Sequence, residues 1–150
     1  LLRARETAEI IRSKASAPNQ FILDDALREM SFGCWEGLTV AEIQREQGDH
    51  FQRWQVSPFL NVPKGGECWE SLRQRANDFA QQLVQMEHGR AIIVAHGGIL
   101  RALFSALLRL DSADFFWSVR LDNCSLTEFS VRPIKTQLLY LNDTHHLKSS

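Results

Sequence analysis

Residues 90–101, Arg90-Ala91-Ile92-Ile93-Val94-Ala95-His96-Gly97-Gly98-Ile99-Leu100-Arg101, decide how the rest of the chain is read. The apolar run Ala91 to Ala95 is bounded by Arg90 on one side and by His96 and two glycines on the other. It has the length and composition of a strand buried on both faces of a parallel sheet. Residues 99–110 then continue as a helix. Strand, sharp glycine turn and helix together place His96 at the carboxyl end of a central strand, where open α/β sheets bind their ligands. Amides at the start of that helix, Gly97 among them, favour an anion through their unpaired N–H groups and the helix dipole. A lone histidine is by default a core residue held by backbone partners; the position of His96 points instead to function.

Working outward, Leu72, Ala76, Phe79, Leu83 and Met86 recur at spacings of four and three, the stripe of a core-facing helix that ends near His88-Gly89. Thr39 and Glu42 form a capping-box pair and Leu38 and Ile43 a hydrophobic staple, predicting a helix over residues 40–46 that Gly48 ends. A second short helix is expected over residues 50–54. Ala4, Ala8, Ile11 and Ala15 mark a helix with no cap residue before it, which stops ahead of Pro18. Residues 21–23 read as a short strand, Asp111 as the cap of a short helix through Trp117, and residues 125–131 and 137–141 as two further strands. Between these lie an irregular loop, residues 27–37, suited to presenting side chains to a cleft, and a long surface loop, residues 57–67, rich in proline and glycine. The expectation is one α/β domain over residues 1–150, three-layered, with a mostly parallel central sheet flanked by helices.

Composition narrows the function classes. Seventeen Lys and Arg against eighteen Asp and Glu leave a net charge of -1, so no global basic field points to nucleic acid. No apolar run approaches the roughly 20 residues that cross a bilayer, and the opening LLRARETAEI has charge where a leader would be apolar. A cytoplasmic protein without a membrane partner is expected. Cys34, Cys68 and Cys124 are an odd number at wide spacing, which suits neither a disulfide framework nor a zinc motif, and they read as reduced and structural. His145 and His146, taken as strand neighbours, would point to opposite faces; no metal and no cofactor is expected.

The remaining candidates each have a plain alternative. Arg3, Arg5 and Glu6 would form a solvated helix face, with Arg5 pairing to Glu9; Arg3 has no obvious partner, and its fork suits phosphate oxygens. Glu29 and Glu36 flank an apolar, aromatic loop, where a carboxyl group can be kept protonated as a general acid or can simply face solvent. Trp35 and Trp69 are either loop anchors or substrate platforms. Glu67 either accepts hydrogen bonds from a substrate or caps the next helix.

Arg3-Ala4-Arg5-Glu6-Thr7, the run Leu27 to Gly33 with Trp35-Glu36-Gly37, Gly65-Gly66-Glu67, and Val94-Ala95-His96-Gly97-Gly98 with Arg101 together resemble the histidine phosphatase superfamily, which includes cofactor-dependent phosphoglycerate mutase. Within it the chain most resembles the alpha-ribazole-5′-phosphate phosphatase branch. The resemblance runs over essentially the whole chain, to the closing LNDTHHL. It implies a metal-independent phosphomonoesterase acting through phosphohistidine on a small phosphate ester, most specifically alpha-ribazole 5′-phosphate in cobalamin assembly. Broad-specificity phosphatases and sugar-phosphate mutases share the pattern. By resemblance, Arg3 is an arginine of the phosphate pocket and His96 the second histidine, stabilising the transferring phosphoryl group with Gly97. Glu29 is the proton donor to the leaving alkoxide. Trp35, Glu36 and Glu67 fall on the substrate loops.

The family nucleophile lies in an Arg-His-Gly triplet after the first strand, and residues 1–150 contain no such triplet. His50 and His88 follow no buried strand and are not candidates for its role. The expectation is an N-terminally truncated domain lacking its first strand, with apolar sheet edges uncovered. Such a chain is either part of a longer enzyme or a non-catalytic fragment that binds phosphate-like anions or self-associates, a homodimer being the simplest case.

Overall fold

A computed structural model describes residues 1–15, 20–86, 89–110 and 113–148. The elements in order are α1 (Leu2–Lys14), α2 (Val40–Val56), α3 (Trp69–Gln85), α4 (Gly97–Leu108), α5 (Ala113–Ser118), β1 (Leu126–Ser130) and β2 (Gln137–Asp143). Short 3-10 turns lie at Asp25–Leu27, Gly33–Trp35 and His145–Leu147. Pro18, His88 and Asp111 lie outside the described residues.

α4 organises the core. It is apolar on nearly every side, burying Ile99, Ala102, Leu103, Phe104 and Leu107, as a helix enclosed by other elements must be. α3 packs along it through Leu72, Ala76 and Ala80. Phe79 and Leu83 of the predicted stripe are half-buried against this core, whereas Met86 is the residue that ends the helix and stands 61% exposed. α5 closes the near end by inserting Phe116 beside Trp69 and Met30. α4 ends where Arg109 turns left-handed (φ 57) and its N–H reaches back to the helix carbonyls.

The expected parallel sheet does not form a ladder among the described residues. Residues 91–95 and 21–23 carry no strand pairing, and the sheet that does form is the antiparallel pair β1–β2. A run of β-formers becomes a strand only when a neighbour takes its N–H and C=O groups, and among the described residues none does. Ala91 and Ile92 are accordingly exposed, Ile92 at 71%, and Ile93 to Ala95 are half-buried rather than enclosed. Ile22, Leu23 and Leu139 are likewise exposed. α1 buries no residue: its small stripe of Ala4, Ala8 and Ile11 lies only partly covered.

The second cluster is built on α2. Thr39 accepts from the Glu42 amide and the Glu42 carboxylate accepts from Thr39, the full capping box. The two predicted helices are joined into one, with a non-helical residue at Gln47 (φ −139, ψ 39). Its carboxamide oxygen accepts from the indole N–H of Trp35 at 3.1 Å, so the kink coincides with the partner that a buried indole requires. Loop 57–67 is not a free surface loop. Asn61 donates to the carbonyls of Arg53 and Ser57, and His50 Nε2 bonds the Asn61 carbonyl at 2.9 Å.

The two loops that flank the site meet at Gly33. Its φ is +54, and a Cβ there would run into the backbone of Lys64, Gly65 and Gly66. Two backbone bonds hold the pair together, Cys34 N–H to the Lys64 carbonyl (2.9 Å) and Glu67 N–H to the Ser31 carbonyl (2.8 Å). Gly33→Ala should therefore lower unfolding free energy by about 2 kcal/mol or more, as a left-handed non-glycine residue with a steric conflict does. Gly48→Ala, in α2 with open space at its Cβ position, should be neutral or stabilising by about 0.5–1 kcal/mol. Chemical denaturation of both variants checks the contrast; equal effects would refute it.

Candidate active site

His96 is the N-cap residue of α4, with extended backbone (φ −125, ψ 160). Its side chain makes no capping bond, so the unpaired amides of the first turn need another acceptor. Glu29 supplies it. Oε1 accepts from the amides of Met30 (2.9 Å), Gly98 (3.0 Å) and Ile99 (3.3 Å), and Oε2 lies 3.3 Å from the Gly98 nitrogen. Gly98 is what permits this approach, because a Cβ there would collide with Glu29 Oε1. The sequence places an anion at this helix end; the structure fills the Gly98 and Ile99 amides with an internal carboxylate.

His96 is 7% exposed. Its pKa is held below the ordinary histidine value, chiefly by burial and next by the positive charge of Arg3; Glu29 acts the other way. The neutral imidazole is thus favoured, and Arg3, Glu29 and His96 share one electrostatic neighbourhood. Arg3 itself is exposed, and its guanidinium makes no hydrogen bond or ion pair among the described residues. Its neighbour Arg5 pairs with Glu9 at 2.8 Å on the solvent side of α1, as the spacing predicts.

The loop candidates separate from this group. Trp35 is 4% exposed and packs against His50, Phe51 and Trp54 with ring centroids 5.2 to 5.7 Å apart. It is an anchor rather than an open platform. Trp69 likewise belongs to the main core. Exposed Glu36 accepts from the Ser31 hydroxyl (2.7 Å) and the Phe32 amide (3.1 Å), closing the loop on itself. Glu67 neither caps α3 nor stands free, for both its oxygens hold Arg75 at 2.7 and 2.8 Å. Arg75 in turn donates to the carbonyls of Ala26 and Arg28, fixing the chain just before Glu29. His145 and His146 lie in a 3-10 turn beyond β2, not on a strand. All three cysteines are free thiols; Cys34 and Cys124 are exposed and so are not core residues.

Arg101 completes the cluster and was not singled out by composition or spacing. Its signal was its isolation, since it is the one charged residue in the helix GGILRALFSALL. Its Nε donates to the Val119 carbonyl at 2.8 Å, and its guanidinium lies 5.8 Å from the centre of the Phe116 ring. One terminal nitrogen, Nη1, lies 3.0 Å from the point that a Cβ on Gly97 would occupy. Burial lowers its pKa and Glu29 raises it, so its charge also reaches Glu29.

The chain belongs to the histidine phosphatase superfamily (branch 1), which it matches over residues 1–144. It is 30% identical over 135 residues to phosphoserine phosphatase 1 of Hydrogenobacter thermophilus, covering 89% of this chain and 64% of that one. It is also 30% identical over 123 residues to the adenosylcobalamin/alpha-ribazole phosphatase of Escherichia coli, covering 81% of this chain and 59% of that one. The chain thus spans less than two thirds of the length of either relative. The alpha-ribazole phosphatase of Shigella flexneri superposes with a TM-score of 0.79 at 28% identity, over 95% of this chain and 70% of the other. The fold is therefore α/β and phosphoglycerate mutase-like, rich in helix, with a small sheet among the described residues.

The charges around His96 give a direct test. Arg3→Gln removes a cation that disfavours the imidazolium and should raise the His96 pKa, whereas Glu29→Gln removes the opposing anion and should lower it further. Because the folded pKa is depressed, the protein should lose stability as pH falls below about 6.5 and through the folded value, and His96→Gln should flatten that loss. Imidazole shifts followed by NMR across pH decide the first point; shifts in the same direction for both variants would refute the arrangement.

Proposed function

We propose that the protein is a phosphomonoesterase in which Glu29 protonates the leaving oxygen, His96 and Arg3 stabilise the transferring phosphoryl group, and a histidine outside residues 1–150 is the nucleophile. The observation that carries this reading is the seat of Glu29 on the first turn of α4, next to His96, in a chain of this superfamily. Three amide N–H groups converge on Oε1 while Oε2 makes a single long contact. One oxygen is thereby anchored and the other is the one available to carry a proton to a substrate. A neutral, buried His96 donates a hydrogen bond to a phosphoryl oxygen without having to be charged, and Arg3 supplies the charge.

In the reaction, the nucleophilic imidazole takes the phosphoryl group in line, charge on its equatorial oxygens is met by His96 and Arg3, and the proton from Glu29 goes to the departing alkoxide. Water, deprotonated by the same Glu29, then hydrolyses the phosphohistidine. Alpha-ribazole 5′-phosphate is the substrate we propose, supported by the relatives of that name in sequence and in structure. A phosphoserine-type substrate is the second reading, supported by the relative named for that activity.

Two measurements test the acid. In protein extended upstream to include the nucleophile, Glu29→Gln should slow poor alkyl leaving groups by about a hundredfold and an activated aryl phosphate far less, since only the former need the proton. Equal losses would refute the acid role. Gly98→Ala keeps the carboxyl group but displaces it, and should reproduce the same leaving-group dependence. Turnover by residues 1–150 alone, with a labelled phosphohistidine, would place the nucleophile among the histidines of this chain and overturn the proposal.

A further inference from the structure

Arg101 has five N–H donors, and the fold uses one. Nε is held by the Val119 carbonyl and the guanidinium face lies near Phe116, which fixes the plane of the fork. The terminal nitrogens have no protein acceptor among the described hydrogen bonds and ion pairs. No side-chain nitrogen or oxygen among the described residues is sealed from solvent without a partner, so these donors open onto water rather than into the core. Nη1 lies over the Cα of Gly97, in the space left by the missing side chain and one residue from His96. The amides of Gly98 and Ile99 are occupied by Glu29, so an anion at this turn must find its donors elsewhere.

We infer that Arg101 is a phosphoryl ligand of this site: its terminal N–H groups, beside the Gly97 turn, take an oxygen of the bound phosphate in addition to the contribution of Arg3. The inference rests on the proposed phosphatase reading and adds a group that the reading does not require. A guanidinium fixed at Nε and free at Nη is pre-aligned to meet an oxyanion with its fork. A side chain serving only to dock α5 would need the Val119 bond and nothing at Gly97.

The test is inorganic phosphate binding, which needs no nucleophile. Calorimetric titration of the unmodified chain should detect binding, and NMR should show the Arg101 side-chain N–H signals moving with phosphate concentration. Arg101→Met should weaken phosphate about tenfold or more, the loss of a charge-assisted hydrogen bond, and Arg101→Lys should recover part of it. If Arg101→Met folds, loses stability through the Val119 contact, and still binds phosphate within twofold of the parent, the residue only positions α5 and the inference fails. If phosphate binding is unaffected but, in protein extended upstream to include the nucleophile, the KM for phosphoserine rises while that for para-nitrophenyl phosphate does not, Arg101 meets a carboxylate on the leaving group and the inference also fails. Absence of phosphate binding by the unmodified chain would overturn both this inference and the reading beneath it. Unmoved Arg101 signals in a protein that does bind phosphate would overturn this one alone.

Discussion

The carboxylate of Glu29 on the amino terminus of α4 is the contact on which the site depends. It joins residues about seventy positions apart and settles several local requirements at once. The helix start gains an acceptor, worth about 1 kcal/mol with its dipole; Met30 is carried into the core beside Ile99; and the carboxylate is oriented by three amides. His96 supplies no cap of its own, so its ring is not committed to the helix start. A helix start and the seat of Glu29 are here stabilised by the same hydrogen bonds.

Around that contact the loops are held by ion pairing and backbone fit rather than by regular structure. Arg75 joins Glu67 to the carbonyls of Ala26 and Arg28 from within α3. Its side chain and that of Glu67 are only 21% and 16% exposed, so the pair is sheltered and fixes a position rather than decorating the surface. The aromatic cluster of Trp35, Phe51 and Trp54 performs the same service for residues 32–36 through α2. Groups that a substrate-centred reading would assign to recognition therefore act one step behind it, giving the loop its shape.

Much of this was legible in residue patterns because it is local. The capping box at Thr39 and Glu42, the stripe of α3 and the histidine-glycine turn follow from spacings of a few residues. Pairing was not legible, since it depends on partners: Ala91 to Ala95 has the composition of a buried strand, yet pairs with no strand among the described residues. Charge partners were hidden for the same reason. Nothing in the spacing of Glu67 and Arg75 announces a bidentate pair, and Glu29 meets Gly98 only through the tertiary fold. Arg101 was visible as an anomaly in an apolar helix, but its direction came from Val119, eighteen residues on.

The meeting of Gly33 with Gly65 and Gly66 also bears on how such a chain can be recombined. Residues 31–36 and 64–67 are halves of one surface, cut to fit where neither side has room for a Cβ at Gly33. A crossover with a homologous gene between those positions would inherit one half from each parent, and any parent with a side chain at the first glycine would bring an incompatible seam. The two segments, and α2 between them, therefore form a natural cassette for exchange, and a chimera that respects its borders moves the whole fitted pair as one inheritable piece.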